Sequence, residues 1–170
     1  PDLRVAGGVD LIGDGNGFDD CNGHGTHVAG IVGARDNGKG TVGVAPEASL
    51  YAMRFFDCAG GGATKSRELM GLEWAIDNGM DVINMSFGCC AVGGAVVTPI
   101  PDAAEEAMLN EAYARGIVLI AASGNSAVPP AGGPGEPVVS FPAGYASVVA
   151  VGATDANDEL AQFSSWGTDQ

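Results

Sequence analysis

Residues 117–125 read IVLIAASGN: Ile117, Val118, Leu119, Ile120, Ala121 and Ala122, then Ser123, Gly124 and Asn125. An unbroken apolar run this short is a strand rather than a helix, and its lack of alternation argues against one wet face. It reads as a fully buried strand, the kind a parallel sheet holds between helices. Ser-Gly-Asn then breaks the run and marks the strand's carboxyl end.

The same grammar repeats on either side. Asp102 to Arg115 predicts an amphipathic helix, with Asp102 and Glu105 suited to its first turn and Gly116 to its end. Val82 to Met85 is a short apolar strand. Thr64 to Asn78 predicts a helix with Leu69, Leu72, Ala75 and Ile76 on one side and Gly79 as its stop. Ser49 to Phe56 (SLYAMRFF) reads as a strand, broken at Gly60 to Gly62. His24 to Ala34 predicts a helix with Val28, Ile31 and Val32 on its apolar side. Its glycines, Gly25, Gly30 and Gly33, would weaken an exposed helix, so it should lie tight against neighbours as a central, buried element. Pro1 to Asn22 reads as loop, Pro129 to Pro137 as an irregular surface loop, and Val148 to Ala153 (VVAVGA) as another buried strand.

Strands alternating with helices predict an α/β fold: a three-layer, mostly parallel sheet with helices on both faces. In such sheets the carboxyl ends of strands and the amino ends of helices share one edge, where ligands bind. His24 opens a helix; Gly60-Gly61-Gly62, Ser86-Phe87-Gly88 and Ser123-Gly124-Asn125 each follow a strand. All four segments should therefore meet on one edge.

The 170 residues suffice for one domain with a sizeable core, and 46% hydrophobic residues exclude a disordered chain. A net charge of −14 leaves no basic face for nucleic acid. No apolar run approaches the roughly 20 residues needed to span a bilayer, so no membrane partner is expected. No signal-peptide pattern opens the chain, and its abrupt start at Pro1-Asp2-Leu3 suggests a missing upstream piece. Strong acidity fits a secreted protein. The four cysteines, Cys21, Cys58, Cys89 and Cys90, suggest disulfides if the protein is secreted and metal binding, or nothing, if it is cytosolic.

The ordinary role of a lone histidine is a cap or a core filler. His24, however, sits between Gly23 and Gly25 at a helix start, where the backbone bends closely and the dipole disfavours the charged ring, as suits a base. The block Asn22-Gly23-His24-Gly25-Thr26-His27-Val28-Ala29-Gly30 resembles the histidine block of the subtilisin-like serine proteases, the subtilases. The resemblance continues through Val42-Gly43-Val44-Ala45-Pro46, Leu50-Tyr51-Ala52, Gly71-Leu72-Glu73-Trp74-Ala75-Ile76, Asp81 to Ser86, Ala121 to Asn125, Val149 to Ala153 and Phe163-Ser164-Ser165. It covers nearly the whole chain.

The resemblance implies a serine endopeptidase that cleaves protein or peptide substrates through an acyl-enzyme, secreted, monomeric, and paired with a propeptide as a further partner. His24 would be the triad base and His27 structural. Asn125 would donate to the oxyanion. Gly60, Gly61 and Gly62 on one side and Ser86, Phe87 and Gly88 on the other would hold the substrate backbone as an added strand. Ala122, Ser123 and Gly124 would wall the pocket for the residue before the cleaved bond. The family's aspartate block and its Gly-Thr-Ser-Met-Ala block are absent from the sequence. The chain is therefore expected to be an internal piece of a catalytic domain, truncated at both ends and inactive alone. The different-class alternative is a non-catalytic, pseudoprotease-like module that binds extended peptides.

The resemblance also implies a structural Ca²⁺, held by Asp2, by backbone carbonyls of Arg35, Lys39 and Thr41, and by Asn37, an oxygen-rich set suited to that ion. Asp14, Asn16, Asp19 and Asp20 form a second oxygen-rich loop, either a further Ca²⁺ site or an ordinary Asx-rich turn. Cys21 and Cys58 stand where the proteinase K and aqualysin branch carries a disulfide and are expected to be bridged. Zinc is the rival: Cys21, His24 and His27 read C-x-x-H-x-x-H, with no fourth ligand evident. Cys89-Cys90 has no family counterpart. Asn84-Met85-Ser86 fits a glycosylation pattern, discounted because it lies on a strand expected to be buried.

Overall fold

The structure is a computed structural model that describes residues 2–58, 63–88, 91–92, 95–96, 100–125 and 139–167. The chain divides into two compact units, Pro1–Trp74 and Ala75–Gln170.

In the first unit, β1 (Val5–Asp10) pairs in parallel with β2 (Leu50–Arg54), in a register that runs from Val5 opposite Leu50 to Asp10 opposite Arg54. The crossover between them carries α1 (His24–Gly33), and α2 (Lys65–Asp77) follows β2. β1 overturns the expectation of a loop across the chain's opening. Gly7 and Gly8 lower its strand propensity and hide it, yet the pairing requires them. A Cβ on Gly8 would stand 2.2 Å from the Ala52 carbonyl oxygen, and one on Gly7 would stand 3.2 Å from the Tyr51 ring.

α1 is anchored at its carboxyl end. The N–H groups of Gly43, Val44 and Ala45 donate to the carbonyls of Ala34, Ile31 and Val32, which satisfies acceptors that a helix end leaves unpaired. Gly33 is the close-packed glycine, with Leu50 side-chain carbons 3.3 Å from its missing Cβ, whereas Gly30 has open space there. The expected burial of α1 is therefore confined to its end. Ile31 is 59% exposed and Val32 36%. An apolar stripe states what a helix can bury, not what lies against it. Gly71 of α2 packs over Leu11 and Met53, and Trp74 sets its ring 6.2 Å from that of Tyr51.

In the second unit, β3 (Val82–Met85), β6 (Val118–Ala122) and β7 (Val149–Val151) form a parallel sheet in the order β3-β6-β7. β4 (Ala91–Val92) and β5 (Ala95–Val96) form a small antiparallel pair between β3 and α3 (Ala103–Ala114). Asp102 caps α3 by accepting from the N–H groups of Ala104 and Glu105. Ile83, Met85, Leu109, Ala112, Leu119 and Ala121 form the core. The strands are not buried on both faces. Val82, Val118, Val149 and Val151 point to an exposed face, because apolar character on both sides of a strand does not itself supply a cover. Asn84 lies on that open face, and its Nδ2 donates to Ser86 Oγ at 2.9 Å.

Candidate active site

His24 is the first residue of α1, and its side chain is exposed. The loop before it is closed by one carboxylate. Asp20 Oδ1 accepts from the N–H groups of Asn22 and Gly23, both at 2.9 Å, and Oδ2 accepts from Thr26 N–H at 2.7 Å and the Thr26 hydroxyl at 2.8 Å. His24 N–H donates to Asn22 Oδ1 at 3.2 Å. Partial burial alone would raise the Asp20 pKa, but these hydrogen bonds outweigh it and bring the group down to about 2. His27 donates its backbone N–H to Gly23 O, the first bond of the helix.

Cys21 is bridged to Cys58. The Cys21 sulfur is therefore not a thiolate available to zinc, and among the described residues no three His, Cys, Asp or Glu side chains cluster as a metal site. Beside the bridge lies Arg54, 7% exposed, which the sequence reading passed over. Its guanidinium meets Asp14 through both nitrogens at 2.7 Å, Gly17 O at 3.1 Å and Cys58 Sγ at 3.1 Å. The Arg54 bond, followed by the Asn16 N–H, holds the Asp14 carboxyl well below the usual range. In the second oxygen-rich loop Asp14 accepts from Asn16 N–H in an Asx turn and from Arg54, while Asp20 accepts from the residues that flank His24. The available signal was a cation inside an apolar strand of a chain with 7 basic residues against 21 acidic ones.

In the second unit, Ser86-Phe87-Gly88 leaves β3 and Ser123-Gly124-Asn125 leaves β6. These strands are parallel neighbours with Met85 opposite Ala121, so both segments start from one edge. Ser123 is buried; its hydroxyl donates to Ser165 O at 2.8 Å, and its carbonyl accepts from Ser140 N–H at 2.8 Å. Gly124 has φ +116°, and a Cβ there would stand 2.2 Å from Ser140 Oγ. Only glycine makes this turn. The turn leaves the Asn125 side chain exposed just past the edge, where a carboxamide can donate to a developing oxyanion. Ala122 is half-buried behind it. Ser140, which the sequence reading also missed, touches the missing-Cβ positions of both Gly88 and Gly124 and so stands beside both segments. Gly60, Gly61 and Gly62, and likewise Cys89 and Cys90, lie outside the described residues.

Four of the five residues expected to hold a cation share one concavity. Asp2, Arg35, Asn37 and Lys39 line a concavity of about 420 Å³. The loop is pinned at its ends by Arg35 N–H to Asp2 O and Gly43 N–H to Ala34 O, both 2.9 Å. Gly40 has φ +62°, and a Cβ on it would stand 3.0 Å from Asp2 Oδ2, so a side chain there would fill the concavity. Asn37 Nδ2 donates to Asp2 Oδ1 at 2.9 Å. Asn37 Oδ1 accepts from Lys39 N–H at 3.0 Å. The donor set, one carboxylate with amide and backbone oxygens, fits Ca²⁺. The side chain and carbonyl of Thr41 follow directly in the same loop.

The model of the subtilase family matches residues 5–170. The chain belongs to the subtilase family. It is similar to the minor extracellular protease Epr of Bacillus subtilis, with 45% identity over 98% of this chain and 23% of that protein. It is also similar to subtilisin Savinase of Lederbergia lenta, with 43% identity over 98% of this chain and 55% of that protein. Among solved structures it resembles the psychrophilic subtilisin-like protease Apa1 from the Antarctic psychrotroph Pseudoalteromonas sp. AS-11, with TM-score 0.78 and 32% identity over 98% of this chain and 35% of that one. This subtilase chain therefore has the α/β fold of a subtilisin-like protease and spans 23% and 55% of the lengths of those two relatives. Among the described residues no helix is long and apolar enough to cross a membrane.

Proposed function

We propose that this subtilase chain is part of a secreted serine endopeptidase in which His24 is the general base and Asn125 an oxyanion donor. The observation that carries the reading is the family match across residues 5–170, which includes the blocks holding both residues. His24 takes the proton of the serine hydroxyl as oxygen attacks the peptide carbonyl. Asn125 Nδ2 donates to the oxyanion that forms. The imidazolium then protonates the amine as the C–N bond breaks, and water releases the acyl group by the same path in reverse. The serine and the aspartate that orients the ring come from outside these residues.

Extended protein substrates lie along Ser86-Phe87-Gly88 and Gly60-Gly61-Gly62, and Ala122-Ser123-Gly124 walls the pocket beside the cleaved bond. Ca²⁺ at Asp2, Arg35, Asn37, Lys39 and Thr41 ties the chain's opening to the loop after α1. The Cys21–Cys58 bridge supports both an oxidising, extracellular setting and placement in the proteinase K and aqualysin branch. A propeptide partner and a monomeric state complete the reading.

The test is hydrolysis of a peptide substrate by the full-length protein before and after treatment with a serine-directed phosphonate. Hydrolysis that the reagent abolishes supports the reading. Peptide that binds but stays uncut marks a non-catalytic binding module instead.

A further inference from the structure

We infer that Asp20 is a positioning residue for His24, holding the start of α1 so that the imidazole keeps a single aim. The inference rests on the reading of His24 as general base. Asp20 touches neither substrate nor reacting atoms; it acts through the backbone on both sides of the histidine.

The segment has little stiffness of its own. Gly23, at the helix cap, has φ +90° and no side chain to cap with. Gly25 follows His24, and neither glycine brings a Cβ to restrict the turn. Asp20 replaces the missing cap. Its two oxygens take four donors, from Asn22 and Gly23 before the histidine and twice from Thr26 after it, none longer than 2.9 Å. Thr26 N–H is a donor that a helix start leaves orphaned, and here the carboxylate six residues upstream accepts from it. The Cys21–Cys58 bridge fixes the residue next to Asp20, so the carboxylate works from an anchored base. A Cβ at Gly25 would lie 3.5 Å from Asp20 Oδ2, so the fit around the ring of donors is close.

The experiment compares Asp20→Ala and Asp20→Asn with His24→Ala in the full-length protein, below the unfolding temperature of each variant. Asp20→Ala is expected to lower kcat roughly 10- to 100-fold while KM stays within about twofold, because the base is misaimed and substrate contacts are untouched. Asp20→Asn should fall between, since its one oxygen keeps part of the donor set and its amide opposes the rest. A merely structural role would lower the unfolding temperature without this kcat loss in the folded enzyme. Wild-type kcat in folded Asp20→Ala, or a loss confined to KM, overturns the inference. If Asp20→Ala does not fold, Asp20→Asn decides by the same split. Should His24→Ala keep full activity, the general-base reading fails and takes this inference with it. A dead His24→Ala beside a normal Asp20→Ala sinks the inference alone.

Discussion

Two acidic side chains hold the loop that leads into α1, Asp14 through Arg54 and Asp20 beside His24. Asp20 and Asp14 are both held below the ordinary carboxylate range, Asp20 by the Gly23, Thr26 and Asn22 donors around His24 and Asp14 by Arg54. The sign follows directly. A folded pKa below the unfolded one means that folding favours the ionised form. The stabilisation is complete above the unfolded value of 3.8 and is lost as pH falls through about 2 for Asp20. In thermal unfolding of the full-length protein, the gap between wild type and Asp20→Asn should be constant at neutral pH and close between about pH 4 and about pH 2. A gap that widens with acid would contradict the assignment. Asn125 carries a second residue-scale expectation. Asn125→Ala should lower kcat by about 10²–10³, the loss known for the corresponding donor in subtilisin itself, with circular dichroism unchanged. Of these residues, His24 and Asn125 stood out as candidates in the sequence through the motif blocks that hold them. Asp20 was visible only as one of several loop oxygens, and Arg54 not at all, because their partners lie 6 and 40 residues away.

At the scale of elements, the apolar runs placed α1, α2, α3, β2, β3, β6 and β7 to within a few residues. β1 escaped because close approach to β2 demands glycines at positions where a strand normally shows branched side chains. The exposure of Val118 and Val149 escaped for a different reason: periodicity reports what a face could bury, whereas accessibility depends on what packs there. The bridge between the His24 loop and the end of β2 adds stability of its own. Its sequence separation of 37 corresponds to about 4 kcal/mol of loop-closure entropy. Cys58→Ser in the full-length protein should therefore lower the unfolding free energy by that order, read as a lower denaturant midpoint, with a slope no smaller than wild type's because the unfolded chain expands. A free-energy loss under about 1 kcal/mol would contradict the loop-closure argument.

For the molecule as a whole, a net charge of −14 sets up self-repulsion in the compact state, which a bound cation would relieve. The proposed Ca²⁺ would sit in the concavity lined by Asp2 and Asn37. Chelating Ca²⁺ should lower the unfolding temperature of the full-length protein, by the equivalent of about 2.7 kcal/mol if free ion stood at 100 times its dissociation constant. Asn37→Ala should remove most of that dependence. An unfolding temperature indifferent to Ca²⁺ would remove the ion from the account. The measurement that bears most directly on the proposed chemistry is kcat on a peptide substrate for the full-length protein and its His24→Ala variant, side by side. The expected result is a fall of about 10⁶-fold, the loss subtilisin itself suffers without its histidine. Turnover by His24→Ala within about tenfold of wild type would contradict the claim that His24 is the base.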